Sequence, residues 1–463
     1  MDQTLHTAVI GGGITGLCAG WHAARRFGPE GVRVFEASTR PGGTTLSNTE
    51  DGYTLDWGPN GFLDREPATL EWMEALGVSG ELRQANAAAA KRFIYRGGRL
   101  HQVKMPPAFF TSPLLSPGGR ARLCCEPLIP PRRDHTGETI HDFAARRIGR
   151  EAAELLVGPM VSGIFGGDAR QLSLEHCFPR MASMEREHGG LVRAMLARRK
   201  TSPGASPAGP SGTLTTLAGG IGRLPEIVAE QLGGALLTGH AVRRVDHDGA
   251  LYGVLLADGT RYLARNVIMA CPAYAAAPMI EGLAPEAAKA LLDIPYAGLA
   301  VVCAGYRRDR VGHPLDGFGF LVPRGQGPRL LGCLWTSSLF PGQAPKGRVL
   351  LRTMLGGATD PDVLHLSDEV LIATTERELS PLLGIVGQPE LLRVFRHPRG
   401  IPQYTLGHGE RLAALEAAEA RHPGLLFAGN AYRGVGLNDC VLSALRAVDR
   451  LVDPPDGAGF QAT

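Results

Sequence analysis

Thr7-Ala8-Val9-Ile10-Gly11-Gly12-Gly13-Ile14-Thr15-Gly16 is the stretch whose reading decides the fold, together with Val32-Arg33-Val34-Phe35-Glu36 further on. Strand-forming residues run directly into Gly11, Gly13 and Gly16, and an alanine-rich helical stretch then reaches Phe27. The second run is again strand, so residues 7 to 36 read as a βαβ unit. The spacing has a mechanism. The first two glycines let the backbone turn tightly and approach a pyrophosphate, and the third lets helix and strand pack. The helix N-terminus adds unpaired N–H groups and partial positive charge. Glu36 ends the second strand 20 residues beyond Gly16 and can accept the hydroxyls of an adenosine ribose. NAD and FAD share that adenosine diphosphate half, so these residues alone leave the two open.

The next segment narrows the choice. Glu36-Ala37-Ser38-Thr39-Arg40-Pro41-Gly42-Gly43 resembles a flavin-enzyme pattern in which an arginine and a glycine pair continue around the FAD pyrophosphate. Near the other end, Leu425-Leu426-Phe427-Ala428-Gly429-Asn430 reads as a strand, followed by Gly434-Val435-Gly436 and a helix from about Asp439. A strand ending in Gly-Asn and feeding a helix N-terminus suits the ribityl-phosphate chain and the polar edge of a flavin ring. No second GxGxxG followed by an acid appears, so a dedicated NAD(P)H domain is not expected. Reducing equivalents should then come from the substrate itself.

At 463 residues the chain exceeds what one core usually organises. Lys+Arg 48 against Asp+Glu 45 gives a net +3 without long runs of one sign, which argues against a nucleic-acid partner. The 8 cysteines form no CxxC pair, and the 14 histidines show no metal spacing, so no metal is expected. A reduced, cytoplasmic setting fits. The first strand begins too early to leave room for a signal peptide, and there is no apolar run of about 18 residues to span a membrane. Membrane contact, if made, is peripheral. The stretch Pro106-Pro107-Ala108-Phe109-Phe110 with Pro113-Leu114-Leu115 lacks core periodicity and reads as an exposed apolar segment, for a membrane face or for a second copy of the chain. Residues 200–207 read as a surface loop, Glu138 to about Val157 as a charged helix, and Tyr296 to Met354 as antiparallel sheet.

Gly58-Pro59-Asn60-Gly61-Phe62, Gly163-Ile164-Phe165-Gly166-Gly167-Asp168, Gly317 to Pro323, and Gly429-Asn430-Ala431-Tyr432-Arg433-Gly434-Val435-Gly436 resemble, in order, segments of the protoporphyrinogen oxidase family, within the amine-oxidase superfamily. The resemblance implies an α/β and α+β architecture: a Rossmann-like FAD domain from discontinuous segments, an antiparallel-sheet substrate domain and a helical, membrane-facing insertion. On that pattern residues 1–86, 215–275 and 396–463 build the FAD domain, 87–214 the insertion and 276–395 the substrate domain.

It also implies roles. Gly11, Gly13, Gly16, Glu36, Arg40, Gly43 and Val242 would hold FAD noncovalently, with Val242 at the adenine, and Asn430, Val435 and Gly436 would meet the flavin end. Arg92 resembles the arginine that pairs with a substrate propionate. Asn60 and the Gly163 carbonyl would lie beside the macrocycle, and Leu321, Leu334 and Met354 would enclose it, the last in place of a phenylalanine in some members. The implied reaction is oxidation of protoporphyrinogen IX, with coproporphyrinogen III as the alternative, and molecular oxygen as acceptor. Six hydrogens leave the ring, so a two-electron cofactor acts three times. No protein nucleophile or paired-carboxylate arrangement is needed for this. An amine oxidase, a desaturase or a noncatalytic flavoprotein are the rival readings.

Overall fold

The apolar run near the start of the chain becomes a central strand. β1 (Thr4–Ile10) pairs in parallel with β2 (Val32–Glu36) on one side and with Arg261–Met269 on the other, so Val9 lies between Val34 and Ile268. A parallel strand covered on both faces is apolar almost throughout, and every residue of β1 except Thr4 is buried. The computed structural model describes residues 4–104, 112–201 and 212–453.

The sheet built on β1 runs Leu236–Thr238, β2, β1, Arg261–Met269, Tyr252–Leu256, Val242–His247, and Leu425–Phe427 joins the C-terminal end of Arg261–Met269. The Tyr252–Leu256 and Val242–His247 strands pair antiparallel, so the sheet is mixed. Its strands come from three separate parts of the chain, as a Rossmann-like domain assembled from discontinuous segments requires. α1 (Ile14–Phe27) and the C-terminal helix Leu437–Asp449 cover one face through Leu17, Cys18, Trp21, Val441 and Ala444. The helices Ala273–Ile280, Pro285–Leu292 and His408–Arg421 cover the other through Ile280, Leu291 and Leu415. Each such leucine or isoleucine contributes about 1.5–3 kcal/mol by leaving water.

A second seven-stranded sheet runs Leu391–Pro402, Tyr296–Arg307, Arg348–Gly356, Leu330–Trp335, Gly319–Leu321, Phe93–Arg96, Arg99–Gln102. It corrects the expectation of a purely antiparallel sheet at one junction. Gly319–Leu321 pairs in parallel with Phe93–Arg96, because that hairpin arrives from the N-terminal part of the chain. One face, with Val302, Leu351, Cys333, Trp335 and Phe320, packs on the helix Asp368–Leu383. The opposite face is turned toward the strand Tyr53–Asp56, whose Tyr53 and Leu55 pack on Val301, Cys303 and Leu350.

Between residues 112 and 201 the chain is helical. The expected single helix from Glu138 to Val157 is broken at Gly149, where φ is +94°, into Ile140–Ile148 and a turn from Arg150. Arg122 reaches the freed carbonyls of Arg146 and Arg147. Leu114 and Leu115 are not exposed: both are buried, Leu115 against Ala152 and Leu155. Their lack of periodicity reflects a cover supplied from 40 residues later, which a local pattern does not register. Phe109, Phe110 and most of the 200–207 stretch lie outside the described residues. Among the described residues no helix is long and apolar enough to cross a membrane.

Candidate active site

The glycine loop has the backbone that its sequence demands. Gly11 sits at φ +112° and donates to Phe35 O at 2.8 Å, and a Cβ at Gly16 would stand 1.8 Å from Gly11 O. A side chain at either position is excluded. Gly13, the N-cap of α1, has no atom within 4 Å of its Cβ direction and no side chain caps the helix, so its first N–H groups have no side-chain acceptor among the described residues. The Glu36 carboxylate closes the loop, accepting from Gly12 N at 2.7 Å and from Ser38 N at 2.8 Å. Gly42 N donates to Gly12 O, which folds the Arg40–Gly43 turn over the glycines. His240 N donates to Glu36 O, bringing Val242, buried at the start of its strand, to the same side.

Leu425–Phe427 ends at the same sheet edge as β1, since Ala428 N donates to Met269 O and Ala270 N to Ile10 O. Open α/β sheets bind ligands at that carboxyl edge. The C-terminal helix starts there, one turn beyond Gly429 and Asn430, with Gly436 as N-cap. It packs along α1, and Cys440 lies beside Thr15. Two helix N-termini thus face one space. Val435 packs against the apolar cluster that includes Val161 and Phe165 of the helix Gly158–Phe165, which also carries Gly163.

Strand register collects the other predicted residues. Leu334 is opposite Arg352, Met354 opposite Gly332, and Leu321 opposite both Gly332 and Ile94, so all share one face of the second sheet. Arg92, two residues before Ile94, continues this alternation. A Cβ at Gly163 would stand 2.9 Å from Leu321 Cδ2, so its helix lies directly on that face. Asn60 comes from the neighbouring loop, and its Nδ2 is buried without a partner among the described residues. Arg92 is exposed as a residue, yet its surroundings desolvate the guanidinium enough to lower its pKa. Its guanidinium lies 5.2 Å from the Phe318 ring centre and forms no hydrogen bond or ion pair among the described residues.

Sequence reasoning missed the residues that join these parts. Arg352, buried on the same sheet face, donates to Asp56 O at 3.0 Å, Trp57 O at 3.4 Å and Gly58 O, just ahead of Asn60. His397 Nε2 donates to Trp57 O at 2.9 Å. The Trp57 ring lies between Phe395, at 4.7 Å, and the Arg40 guanidinium, at 4.9 Å. The Arg40–Gly43 turn and the second sheet therefore share one tryptophan. Its place beside the Gly-Pro-Asn run was the only signal available.

These groups fit an adenine dinucleotide carrying a flavin: a glycine loop, the uncapped start of α1, an acid at the second strand and an orphaned buried amide. Burial pushes the Cys440 thiol up to about 11, leaving it a neutral packed residue. Elsewhere His135, Glu138 and Glu185 bring three metal-type ligand atoms within 4.8 Å of one another. Arg146 already donates to both carboxylates at 2.8–3.1 Å, and Arg147 to Glu185 at 3.2 Å. The guanidinium groups neutralise this buried cluster and tie its helices together.

The family model of the flavin containing amine oxidoreductases matches residues 14–452. Coproporphyrinogen III oxidase of Bacillus subtilis (strain 168) is 31% identical over 464 residues, covering 96% of this chain and 98% of the relative. Protoporphyrinogen oxidase of Homo sapiens is 32% identical over 473 residues, covering 95% and 96%. A crystal structure of an Exiguobacterium sp. 255-15 protein superposes with TM-score 0.82 at 26% identity, covering 97% and 99%. With the glycine loop, Glu36 and the C-terminal loop in place, the chain belongs to the flavin containing amine oxidoreductase family, and FAD is its cofactor.

Proposed function

We propose that this flavoprotein oxidises protoporphyrinogen IX to protoporphyrin IX in haem synthesis. The observation that carries the substrate choice is the face formed by Leu321, Leu334 and Met354 with one guanidinium, Arg92, that has no hydrogen-bond or ion-pair partner among the described residues. What FAD supplies when bound is two-electron acceptance, so six hydrogens leave the ring in three cycles and reach oxygen as three peroxides. The chain's own residues bind and orient. Gly11, Gly13, Gly16, Arg40 and Gly43 enclose the pyrophosphate, Glu36 the ribose, Val242 the adenine, and Asn430, Val435 and Gly436 the flavin end. Arg92 holds one propionate, Asn60 and the Gly163 carbonyl border the macrocycle, and the three apolar side chains exclude water from it.

The alternative substrate, coproporphyrinogen III, carries four carboxylates where protoporphyrinogen carries two. Burying carboxylates without partners is costly. Arg96, on the same face as Arg92, is already engaged by Pro113 O, Leu114 O and Glu151, so it adds no free cation there. Favouring the alternative is the near-equal identity to relatives bearing either name, 31% and 32%. Comparing kcat/KM for both porphyrinogens tests the choice, and a preference for coproporphyrinogen III overturns it. Peripheral membrane contact belongs to the same proposal and rests on Phe109 and Phe110.

A further inference from the structure

The connector between the strand Leu391–Pro402 and the helix His408–Arg421 belongs to no cofactor motif, yet several parts of the site hang from it. Gln403 donates through Nε2 at 2.7 Å to the carbonyl of Phe165, the last residue of the helix that carries Gly163. Leu172 and Thr405 form a bridge, and Ser173 N donates to Tyr404 O at 2.8 Å. The Tyr404 ring, fully buried, crosses from there to the loop 429–436. Its hydroxyl donates to Asn430 O at 2.5 Å and accepts from Gly434 N at 2.8 Å. His408 stacks on that ring with centroids 4.3 Å apart, and its Nε2 donates to Tyr432 O at 2.9 Å. Residues 430, 432 and 434 are thus held by Tyr404 of the connector and by His408, the first residue of the helix that follows it.

The chemistry of both groups suits a fixed support. Burial raises the Tyr404 phenol well above its ordinary pKa, so it stays neutral and both donates and accepts. Burial lowers His408 to about 4, so the ring is neutral, and donation from Nε2 fixes its tautomer. Packing alone would be satisfied by a phenyl ring at 404. The hydroxyl adds direction: it fixes a loop at one end of a connector whose other bonds fix the Gly163 helix.

We propose that Tyr404, seconded by His408, is a positioning residue that sets the spacing between the Gly163 wall and the loop 430–436, and so the placement of macrocycle against flavin. This rests on the assignment of that loop to the flavin end. Tyr404→Phe isolates the hydroxyl. The purified holoprotein should keep full FAD content, because the Gly11–Gly16 loop and Glu36 are untouched. The absorption and circular-dichroism bands of its bound flavin should shift. With porphyrinogen, kcat should fall about 10- to 100-fold, the scale of a sub-ångström to ångström misplacement, while KM changes less than about threefold. His408→Asn, too short to reach Tyr432 O, should shift the same bands. His408→Gln, which returns an amide donor near the Nε2 position, should recover most of the lost rate. Wild-type flavin bands and wild-type kcat in Tyr404→Phe or in His408→Asn, whatever happens to Tm, overturn the proposal and leave a packing role. The flavin bands need no substrate. A band shift in a protein that turns over neither porphyrinogen therefore supports the loop placement while sinking the substrate assignment.

Discussion

Replacing Arg92 by alanine removes a guanidinium that lies 5.2 Å from the Phe318 ring centre and makes no hydrogen bond or ion pair among the described residues. An exposed cation–π contact is worth about 0.5–1 kcal/mol, and no buried acceptor is orphaned by the change. Tm should therefore fall by no more than about 1 °C for a chain of this length. The effect on catalysis is expected to be larger. A hydrogen bond between charged groups contributes about 1.5–3 kcal/mol, and the exposure of Arg92 to water places it in the lower half of that range. At roughly 1.4 kcal/mol per decade, 1.5–2 kcal/mol is a loss of about 10- to 30-fold in kcat/KM. Arg92→Lys keeps the charge but not the planar fork, and should fall between wild type and alanine. The assay is steady-state appearance of porphyrin fluorescence at matched FAD content, with thermal melts on the same preparations. A kcat/KM within twofold of wild type would refute the binding pose. Loss of FAD or a large drop in Tm would show that Arg92 supports the fold.

Glu36→Ala should weaken FAD binding by about 1–3 kcal/mol, since a carboxylate that holds the loop through Gly12 N would be lost together with its ribose contact; unchanged affinity by titration of the apoprotein removes Glu36 from the site. His22 and His408 are held at about 4 by burial, below the ordinary 6.5, so the folded chain binds fewer protons than the unfolded one between those values. Their contribution to stability is complete above pH 6.5 and is lost as pH falls toward 4; melting temperatures that stay flat across that window contradict the assignment. Leu114→Ser should lower stability by roughly 2–5 kcal/mol, the cost of emptying a buried leucine site, without altering liposome flotation. A Phe109/Phe110 double serine variant should instead lose flotation, and equal behaviour of that variant and wild type counts against a membrane role for the segment.

The nucleotide half of the site was legible because its constraints are local. Gly11, Gly16 and Glu36 are tied to one another within 30 residues by backbone geometry, and only glycine tolerates φ +112° at 11 or the 1.8 Å approach at 16. The strands β1 and β2 and the helix α1 between them were legible from their residue patterns for the same reason. Arg92, Leu321, Leu334 and Met354 could be nominated only through resemblance, and the register of four strands is what brings them to one face.

What sequence alone determined, then, was a dinucleotide loop, a flavin-like C-terminal segment and the main elements between them. Tertiary structure decided the rest: the parallel junction at Phe93–Arg96, the burial of Leu114 and Leu115, the reach of Arg352 to the carbonyls before Asn60, and the hold of Tyr404 on Asn430 and Gly434. Arg352 meets partners almost 300 positions away. Periodicity and spacing report only what neighbours along the chain require of each other. A polar side chain that serves a distant carbonyl leaves no mark on its own surroundings until the chain has folded and brought the two together.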